Sequence, residues 1–396
     1  MTDDSLPLQA RLRHGADCAD CVPASRGRRG FLLGALGTAA LGACSLPQQL
    51  QDRMPPAPSS YGTGTKAAGI PTGTGASGSV RPPSGGGRID VHHHHSPPAW
   101  VAAARSRGID GLAANWNVQK SLADMDAAGV QTSMLSVTTP GVVFRDLDQA
   151  AGRRLARECN EYGARLKADH KGRFGFFAAL PMLDTQGALE EIAYAMDTLK
   201  ADGIGLLTSY GDKWLGDTQF FPIMEEINRR KLLVYTHPTA ANCCQNLQKG
   251  VPPVMIEFGT DTTRAIASIL FDGGNAQRFR DIKWIFSHAG GTMPFLIERF
   301  VRHPTLVPAV RPNFPNGVLP ELQRFWYDTA QVSNPSAMSA LTKIIPVEQI
   351  VFGSDFPYRT SIDHVNAIRA TGMFTEAQLR MIERDTPLKL LPQWRT

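Results

Sequence analysis

Eight short apolar segments, separated by stretches with helical periodicity, dominate the sequence from residue 88 onward. Apolar segments bounded by turn signals predict strands, and strands that alternate with helices predict β/α units with parallel pairing. The predicted strands cover residues 88–92, 130–137, 173–180, 203–209, 232–237, 282–288, 324–329 and 349–355. The predicted helices between them include residues 149–170, 185–200, 220–230 and 260–272. Eight such units in roughly 300 residues predict an α/β fold, a closed (β/α)8 barrel of the TIM type.

Motifs and charge argue against two classes of function. No Gly-x-Gly-x-x-Gly motif follows a predicted strand, which disfavours a dinucleotide-binding fold. The formal net charge is +5, and the Lys and Arg residues are spread along the chain without a long basic run. No basic stripe with interleaved aromatic residues is present either, so we expect no nucleic-acid partner.

Histidines and one aspartate stand where four of the predicted strands end. They are His92, His93, His94 and His95 at the first strand, His237 at the fifth, His288 at the sixth and Asp355 at the eighth. The carboxyl ends of the strands form the active site of a (β/α)8 barrel. A single histidine at a strand end is more often structural, and four in a row resemble a purification tag. Independent structural histidines are not expected at three matching strand ends, however, and the pattern indicates a functional site.

Strand alternation distinguishes among the four consecutive histidines. Neighbours on a strand point to opposite faces, so His92 and His94 share one face while His93 points away. A His-x-His pair offers two nitrogen ligands, to which His237 and Asp355 add a nitrogen and an oxygen. This ligand set suits Zn²⁺, with Mn²⁺ as the alternative. The sequence therefore predicts a site for a divalent metal ion.

Four segments resemble the motifs of the amidohydrolase superfamily. They are residues 89–94 (IDVHHH), 235–238 (YTHP), 286–291 (FSHAGG) and 352–357 (FGSDFP). The branch that they resemble includes aminocarboxymuconate semialdehyde decarboxylase, γ-resorcylate decarboxylase and 6-methylsalicylate decarboxylase. The resemblance extends over nearly all of residues 88–396, and it implies a metal-dependent enzyme with this barrel.

The resemblance also implies a role for each site residue. The implied metal ligands are His92, His94, His237 and Asp355. His288 becomes the catalytic acid/base, and Asp355 shares in its proton transfers. Arg299 takes the position of an arginine that binds the substrate carboxylate in the semialdehyde decarboxylase, with a helix-surface arginine as the alternative. The fourth predicted strand ends without a lysine that could be carbamylated to bridge two ions, which implies one metal ion.

Two enzyme reactions fit such a site. One is the non-oxidative decarboxylation of a small aromatic carboxylic acid, and the other is hydrolysis of an amide, ester or lactone by a metal-activated water. Residues 206–217 and 238–244 resemble the salicylate-type decarboxylases most, which favours decarboxylation. A non-catalytic metal-binding surface lipoprotein is the third interpretation. Relatives often form dimers, so the resemblance also raises the expectation of a homodimer.

The N-terminal residues have the pattern of an export signal. Arg28 and Arg29 directly precede residues 31–43, an uncharged stretch rich in Leu, Ala and Gly. This pattern indicates a twin-arginine-type signal peptide, since a transmembrane helix needs about 20 apolar residues. The stretch ends in Leu-Gly-Ala-Cys, a resemblance to a bacterial lipoprotein box. Residues 1–44 are thus predicted to be a signal peptide with Cys44 as the lipidated residue, and simple cleavage nearby is the alternative.

A spacer is predicted between this signal and the barrel. Residues 45–87 are dominated by Pro, Gly, Ser and Thr. Such a segment cannot bury enough apolar area to become ordered, so it is interpreted as a disordered linker. We therefore expect an exported enzyme on the periplasmic or cell-envelope side. In this interpretation a lipid anchor at Cys44, rather than a transmembrane helix, holds the barrel of residues 88–396 to the membrane.

Overall fold

The computed structural model describes residues 86–272 and 275–395, and they contain an eight-stranded sheet in which all neighbours pair in parallel. Its strands are β1 Arg88–His95, β2 Val130–Val137, β3 Phe174–Ala179, β4 Gly203–Leu207, β5 Leu233–His237, β6 Lys283–Phe286, β7 Trp326–Asp328 and β8 Ile350–Val351. The spatial order of the strands is their order in the chain. Each strand is therefore followed by a crossover that returns the chain to the same end of the sheet.

Backbone hydrogen bonds join the first strand to the last strand and the residues after it. The bonds run from Val91 N to Phe352 O at 3.0 Å, from Asp355 N to His92 O at 2.8 Å and from His94 N to Phe356 O at 2.8 Å. The sheet is thus closed into a ring, and the predicted (β/α)8 barrel is confirmed.

Helices surround this ring. The α-helices of the described residues are α1 Pro98–Arg105, α2 Val118–Ala128, α3 Gln149–Asp169, α4 Thr185–Ala193, α5 Phe221–Arg229, α6 Glu257–Phe271, α7 Asn275–Arg278, α8 Ile297–Leu306, α9 Leu319–Leu322, α10 Pro335–Thr342, α11 Ser361–Ala370, α12 Glu376–Arg380 and α13 Thr386–Leu390. Side-chain caps define where several of them begin: Asp148 accepts a hydrogen bond from Ala151 N at 2.7 Å at the start of α3. The helix predicted over residues 185–200 changes to a π-helical turn at Tyr194–Thr198.

Apolar side chains fill the barrel at the end opposite the strand carboxyl ends. Ile89, Val91, Phe177, Ile285 and Val351 belong to one interior cluster, and the C-terminal Leu390, Leu391 and Trp394 pack against it. A larger cluster lies between the strands and the helices. Because the interior is solid at this end, a ligand site has room only at the carboxyl ends of the strands.

Several strands end earlier than the sequence predicted, among them the two that precede His288 and Asp355. β6 ends at Phe286 and β8 at Val351, whereas the predicted strands ran to His288 and Asp355. Both of these residues have left-handed backbone conformations, with φ of 55° and 61°, which cannot continue a strand. His288 and Asp355 therefore stand on turns beyond their strands, whereas His92, His94 and His237 lie on strands.

The export signal, Cys44 and nearly all of the linker predicted from the sequence lie outside the described residues. In residues 86–272 and 275–395, no helix combines the length and the apolar character needed to cross a bilayer.

Candidate active site

Four buried side chains converge at the carboxyl ends of β1, β5 and β8. They are His92, His94, His237 and Asp355, and their potential ligand atoms all lie within 4.8 Å of one another. Asp355 Oδ1 is 3.1 Å from His92 Nε2, 3.0 Å from His94 Nε2 and 3.9 Å from His237 Nε2. One carboxylate oxygen and three imidazole nitrogens are thus grouped together, as the ligand atoms around a single cation are.

The other oxygen of Asp355 faces different partners. His288 Nε2 lies 3.5 Å from Asp355 Oδ2, and Gln331 Nε2 donates a hydrogen bond to the same oxygen at 2.9 Å. The His288 ring also stacks on the His92 ring, with 5.2 Å between the centroids. The carboxylate therefore divides the site into a side lined by the three histidines and a side that His288 approaches.

A bulge in β1 brings its histidines into the barrel. The pairing of β1 with β2 shifts register between Asp90 and His93. Val91 packs in the interior cluster, and the His92 ring lies 5.1 Å from the ring of Tyr235, which belongs to the same cluster. Both Val91 and His92 therefore face the interior, which is the usual consequence of a bulge. Because of this bulge, His92 and His94 lie directly next to the apolar interior of the barrel.

His93 points away from the site, as strand alternation predicts. Its Nδ1 lies 3.0 Å from Asp90 Oδ2 and its Nε2 lies 2.9 Å from Ser121 Oγ on α2. Asp90 also accepts hydrogen bonds from the Ser354 backbone N at 3.0 Å and from Ser354 Oγ at 2.6 Å. His93 and Asp90 thus fasten β1 to the segment that carries Asp355.

Asp328 links two of the site histidines and was missed by sequence reasoning. Its Oδ2 is 2.8 Å from His92 Nδ1, while its Oδ1 accepts a hydrogen bond from the His288 backbone N at 2.8 Å. A carboxylate at Nδ1 fixes the tautomer in which Nε2 is free to bind a metal. Asp328 is the last residue of β7, so the rule that singled out the other strand ends would have found it. Gln331, three residues further on, has no such signal.

Burial and neighbouring charges together shift the pKa values of the three histidines in the cluster. Burial lowers the pKa of His94, and burial together with the charge of His94 lowers the pKa of His237 to about 3. Neutral rings keep a nitrogen lone pair for a cation. Burial also lowers the pKa of His92, but attraction to Asp328 and Asp355 outweighs it and raises the pKa to about 10. The carboxylates that favour a proton on His92 equally favour a divalent cation beside it.

Asp355 is held as an anion. Burial alone would raise its pKa, but the charge of His92 and hydrogen bonding with His237 and His288 hold that pKa well below the usual range. Three imidazoles and one carboxylate match the nitrogen and oxygen donors that first-row divalent metals prefer. The end of β4 contributes no lysine to this set, and Thr208 there hydrogen-bonds the buried Asp261 instead. The cluster is a site for a divalent metal ion.

Arg299 is not brought to this cluster. It lies exposed on α8, where it lines a surface cavity with Phe295, Leu296 and Arg302. Among the described residues it makes no hydrogen bond or ion pair with the site. Its role in substrate binding stays a prediction.

Two adjoining cavities lead to the cluster. An inner cavity is bounded by His237, Tyr235 and residues of β2, β3 and β4. An outer cavity is formed by the loops that follow these strands and β5, and it shares Leu207 and Tyr210 with the inner one. Arg145 at its mouth donates to the neutral side chain of Asn242. Among the described residues Arg145 forms no ion pair with a carboxylate, so its charge attracts carboxylates towards the cavity.

Comparisons with known proteins agree with this architecture. The sequence profile of the amidohydrolase family matches residues 89–393. A decarboxylase of Aspergillus niger is 36% identical over 325 residues, which cover 78% of this chain and 88% of that protein. The 6-methylsalicylic acid decarboxylase of Penicillium expansum is 35% identical over 320 residues, which cover 77% of this chain and 96% of that protein. That of Aspergillus aculeatus is 37% identical over 284 residues, or 68% of this chain and 84% of that protein.

Solved structures share the fold. The 2,6-dihydroxybenzoate decarboxylase from Rhizobium superposes with a TM-score of 0.68 at 20% identity, covering 78% of this chain and 99% of its own. The 5-carboxyvanillate decarboxylase from Novosphingobium aromaticivorans, complexed with manganese, superposes with a TM-score of 0.69 at 17% identity, covering 78% of this chain and 96% of its own. With the family profile matching almost the entire barrel, the chain belongs to the amidohydrolase family, in the branch that contains these decarboxylases.

Proposed function

We propose that this protein catalyses the non-oxidative decarboxylation of a small aromatic acid of the salicylate type, in which a ring hydroxyl neighbours the carboxylate. The observation that carries the proposal is the position of the His/Asp cluster beside a cavity whose lining contains aromatic and aliphatic side chains and no carboxylate, lysine or arginine. The decarboxylases that are 35–37% identical over most of the barrel support it.

We assign the metal-ligand role to the four converging side chains. These are His92, His94, His237 and Asp355. The proposed cofactor is a single divalent ion, Zn²⁺, for which three nitrogens and one oxygen form a suitable set, with Mn²⁺ as the alternative. Such an ion would act as a Lewis acid for the substrate carboxylate and the neighbouring hydroxyl oxygen.

His288 and Asp355 handle the proton in this proposal. Decarboxylation breaks the bond between the ring carbon and the carboxylate, CO₂ leaves, and a proton takes its place on the carbon. His288 Nε2 and Asp355 Oδ2, 3.5 Å apart, can share that proton and deliver it from one side of the site. Gln331 donates to the same oxygen and so keeps the carboxylate turned with Oδ1 towards the histidines.

The test is a comparison of reaction products. Purified protein loaded with Zn²⁺ or with Mn²⁺ is incubated with salicylate-type acids, and CO₂ release is measured. A panel of esters, amides and lactones is assayed in parallel for hydrolysis. CO₂ release supports the proposal, hydrolysis without CO₂ release supports the hydrolase alternative, and turnover of neither panel supports the metal-binding lipoprotein.

Asp328→Ala is expected to weaken metal binding by ~10–100-fold, the usual effect of losing a partner that orients a ligand. The substitution leaves His92 Nδ1 without its carboxylate and the His288 backbone N without its acceptor. Metal affinity is measured by competition with a chelator of known strength. Asp110→Asn is the control because the Asp110 side chain is 68% exposed. Equal affinity in the Asp328→Ala and control proteins would rule out this orienting role.

The cell-envelope location is a second part of the proposal. The arginine pair, the uncharged stretch and Cys44 favour export and lipidation. Cys44→Ala is expected to release the protein from the membrane fraction or to block its processing, because two acyl chains provide the stable anchor and the Pro/Gly-rich spacer provides none. Cell fractionation and the mass of the mature N-terminus measure this. A variant that matures and fractionates like the wild type would exclude a lipid anchor at Cys44. The homodimer stays a prediction.

A further inference from the structure

The inner cavity exists because two neighbouring strands carry small residues at the same level. Ala179 of β3 pairs with Gly205 of β4, and Gly205 pairs with Tyr235 of β5. The interior of a (β/α)8 barrel is normally filled by layers of large branched side chains. Here a methyl group and a hydrogen stand where two such side chains would be, so space remains beside the rings of Phe177 and Tyr235, which stack at 5.4 Å.

The glycine at position 205 is not required by the backbone. A Cβ atom there would lie 3.4 Å from Phe177 Cβ, which is ordinary van der Waals contact, and no left-handed φ is needed. Gly203, two residues earlier, is different because a Cβ there would lie 2.5 Å from Leu233 O. The strand can therefore accept alanine at position 205 but not at position 203. Glycine at position 205 is therefore needed to keep the cavity open but is not needed for the fold.

The lining of the inner cavity defines what it can accept. Val137, Val142, Leu180, Leu206 and Leu207 give it apolar walls, and its polar side chains are Ser136, Tyr210, Tyr235 and His237. No carboxylate, lysine or arginine lines it. Burying a charged group without a partner is costly, whereas burying a methyl group is favourable. His237 belongs both to this lining and to the metal-ligand cluster, so a substrate held at the cluster can extend directly into the cavity.

We propose that the inner cavity binds an alkyl substituent of the substrate ring and that Gly205 determines the size of the substituent accepted. The inference rests on the proposed decarboxylation and concerns where the protein recognises a ring substituent and which residue limits the size of that substituent. In this arrangement the carboxylate and hydroxyl oxygens lie at the cluster, and the alkyl group replaces water against Val142, Leu207 and Phe177.

The test uses Gly205→Ala and Val142→Ala with salicylic acid and its methyl and ethyl ring derivatives. In the wild type, we expect kcat/KM to be greater for at least one methyl isomer than for salicylic acid. Gly205→Ala places a methyl group in the cavity. It is expected to lower the kcat/KM of the methyl isomer relative to that of salicylic acid by ~10-fold or more, the discrimination that one methylene provides. Val142→Ala enlarges the same cavity and is expected to raise the ratio for ethyl over methyl derivatives by a similar factor.

Gly152→Ala is the matched control, because a Cβ atom there on α3 meets nothing within 4 Å. Its substrate ratios are expected to equal those of the wild type. Metal content and thermal unfolding of each variant show whether the barrel is intact. If Gly205→Ala does not fold, the kcat/KM ratios of Val142→Ala for ethyl over methyl derivatives test the role of the cavity. CO₂ release from none of these acids by the wild type would overturn the proposed decarboxylation. If the wild type releases CO₂ but neither cavity variant changes the ratios of kcat/KM between substrates, only the role of the cavity and Gly205 is overturned.

Discussion

Asp355→Asn is expected to lower kcat by at least ~10²-fold, since loss of acid/base assistance alone has effects of this order. The carboxylate has two tasks in the proposed mechanism: Oδ1 completes the ligand set with three histidines, and Oδ2 exchanges a proton with His288. An amide of the same size fills the space but carries no charge and cannot take up that proton. The rate of CO₂ release in metal-replete protein measures the effect.

The fold should survive this substitution. Backbone hydrogen bonds from Asp355 N to His92 O and from His94 N to Phe356 O hold the segment in place and do not involve the side chain. Thermal unfolding of Asp355→Asn is therefore expected to remain cooperative. Asp110→Asn makes the same chemical change at an exposed position and should keep the full rate. Retention of more than about a tenth of the wild-type rate by Asp355→Asn would remove this carboxylate from the proton transfer.

The strands and their order were predictable because the signals are local. Each apolar segment and its turn residues lie within a few positions, and the parallel β/α arrangement fixes which strand ends meet. His92, His94, His237, His288 and Asp355 could be singled out for that reason, and the structure brings them together.

Other features depend on residues that meet only in the folded chain. Left-handed conformations occur beyond β6 and β8 at a histidine and an aspartate, where sequence gives no warning comparable to a glycine. Gln331 reaches Asp355 from a loop with no motif of its own. The inner cavity requires the register that pairs Ala179 with Gly205, and neither strand alone indicates it. Sequence therefore located the residues of the candidate site, whereas the cavity beside them became visible only in the structure.

His288→Ala is expected to lower kcat by ~10²–10⁴-fold while the protein still binds close to one metal ion per chain. The reason is the position of the ring. His288 Nε2 faces Asp355 Oδ2, whereas the three proposed histidine ligands face Oδ1. Removing the imidazole therefore takes away the proton carrier and leaves all four ligand atoms. His237→Ala, by contrast, removes one ligand and should lower metal occupancy together with the rate.

Elemental analysis beside steady-state kinetics distinguishes the two outcomes. His170→Ala is the matched control, because that ring packs 5.7 Å from Phe174 at the start of β3, at the end of the barrel opposite the site. It should keep both metal and rate. Metal lost from His288→Ala in proportion to its activity would make His288 a ligand. Full metal content with a nearly normal rate would exclude it from the mechanism, and the proton would then have to be carried by Asp355 without this partner.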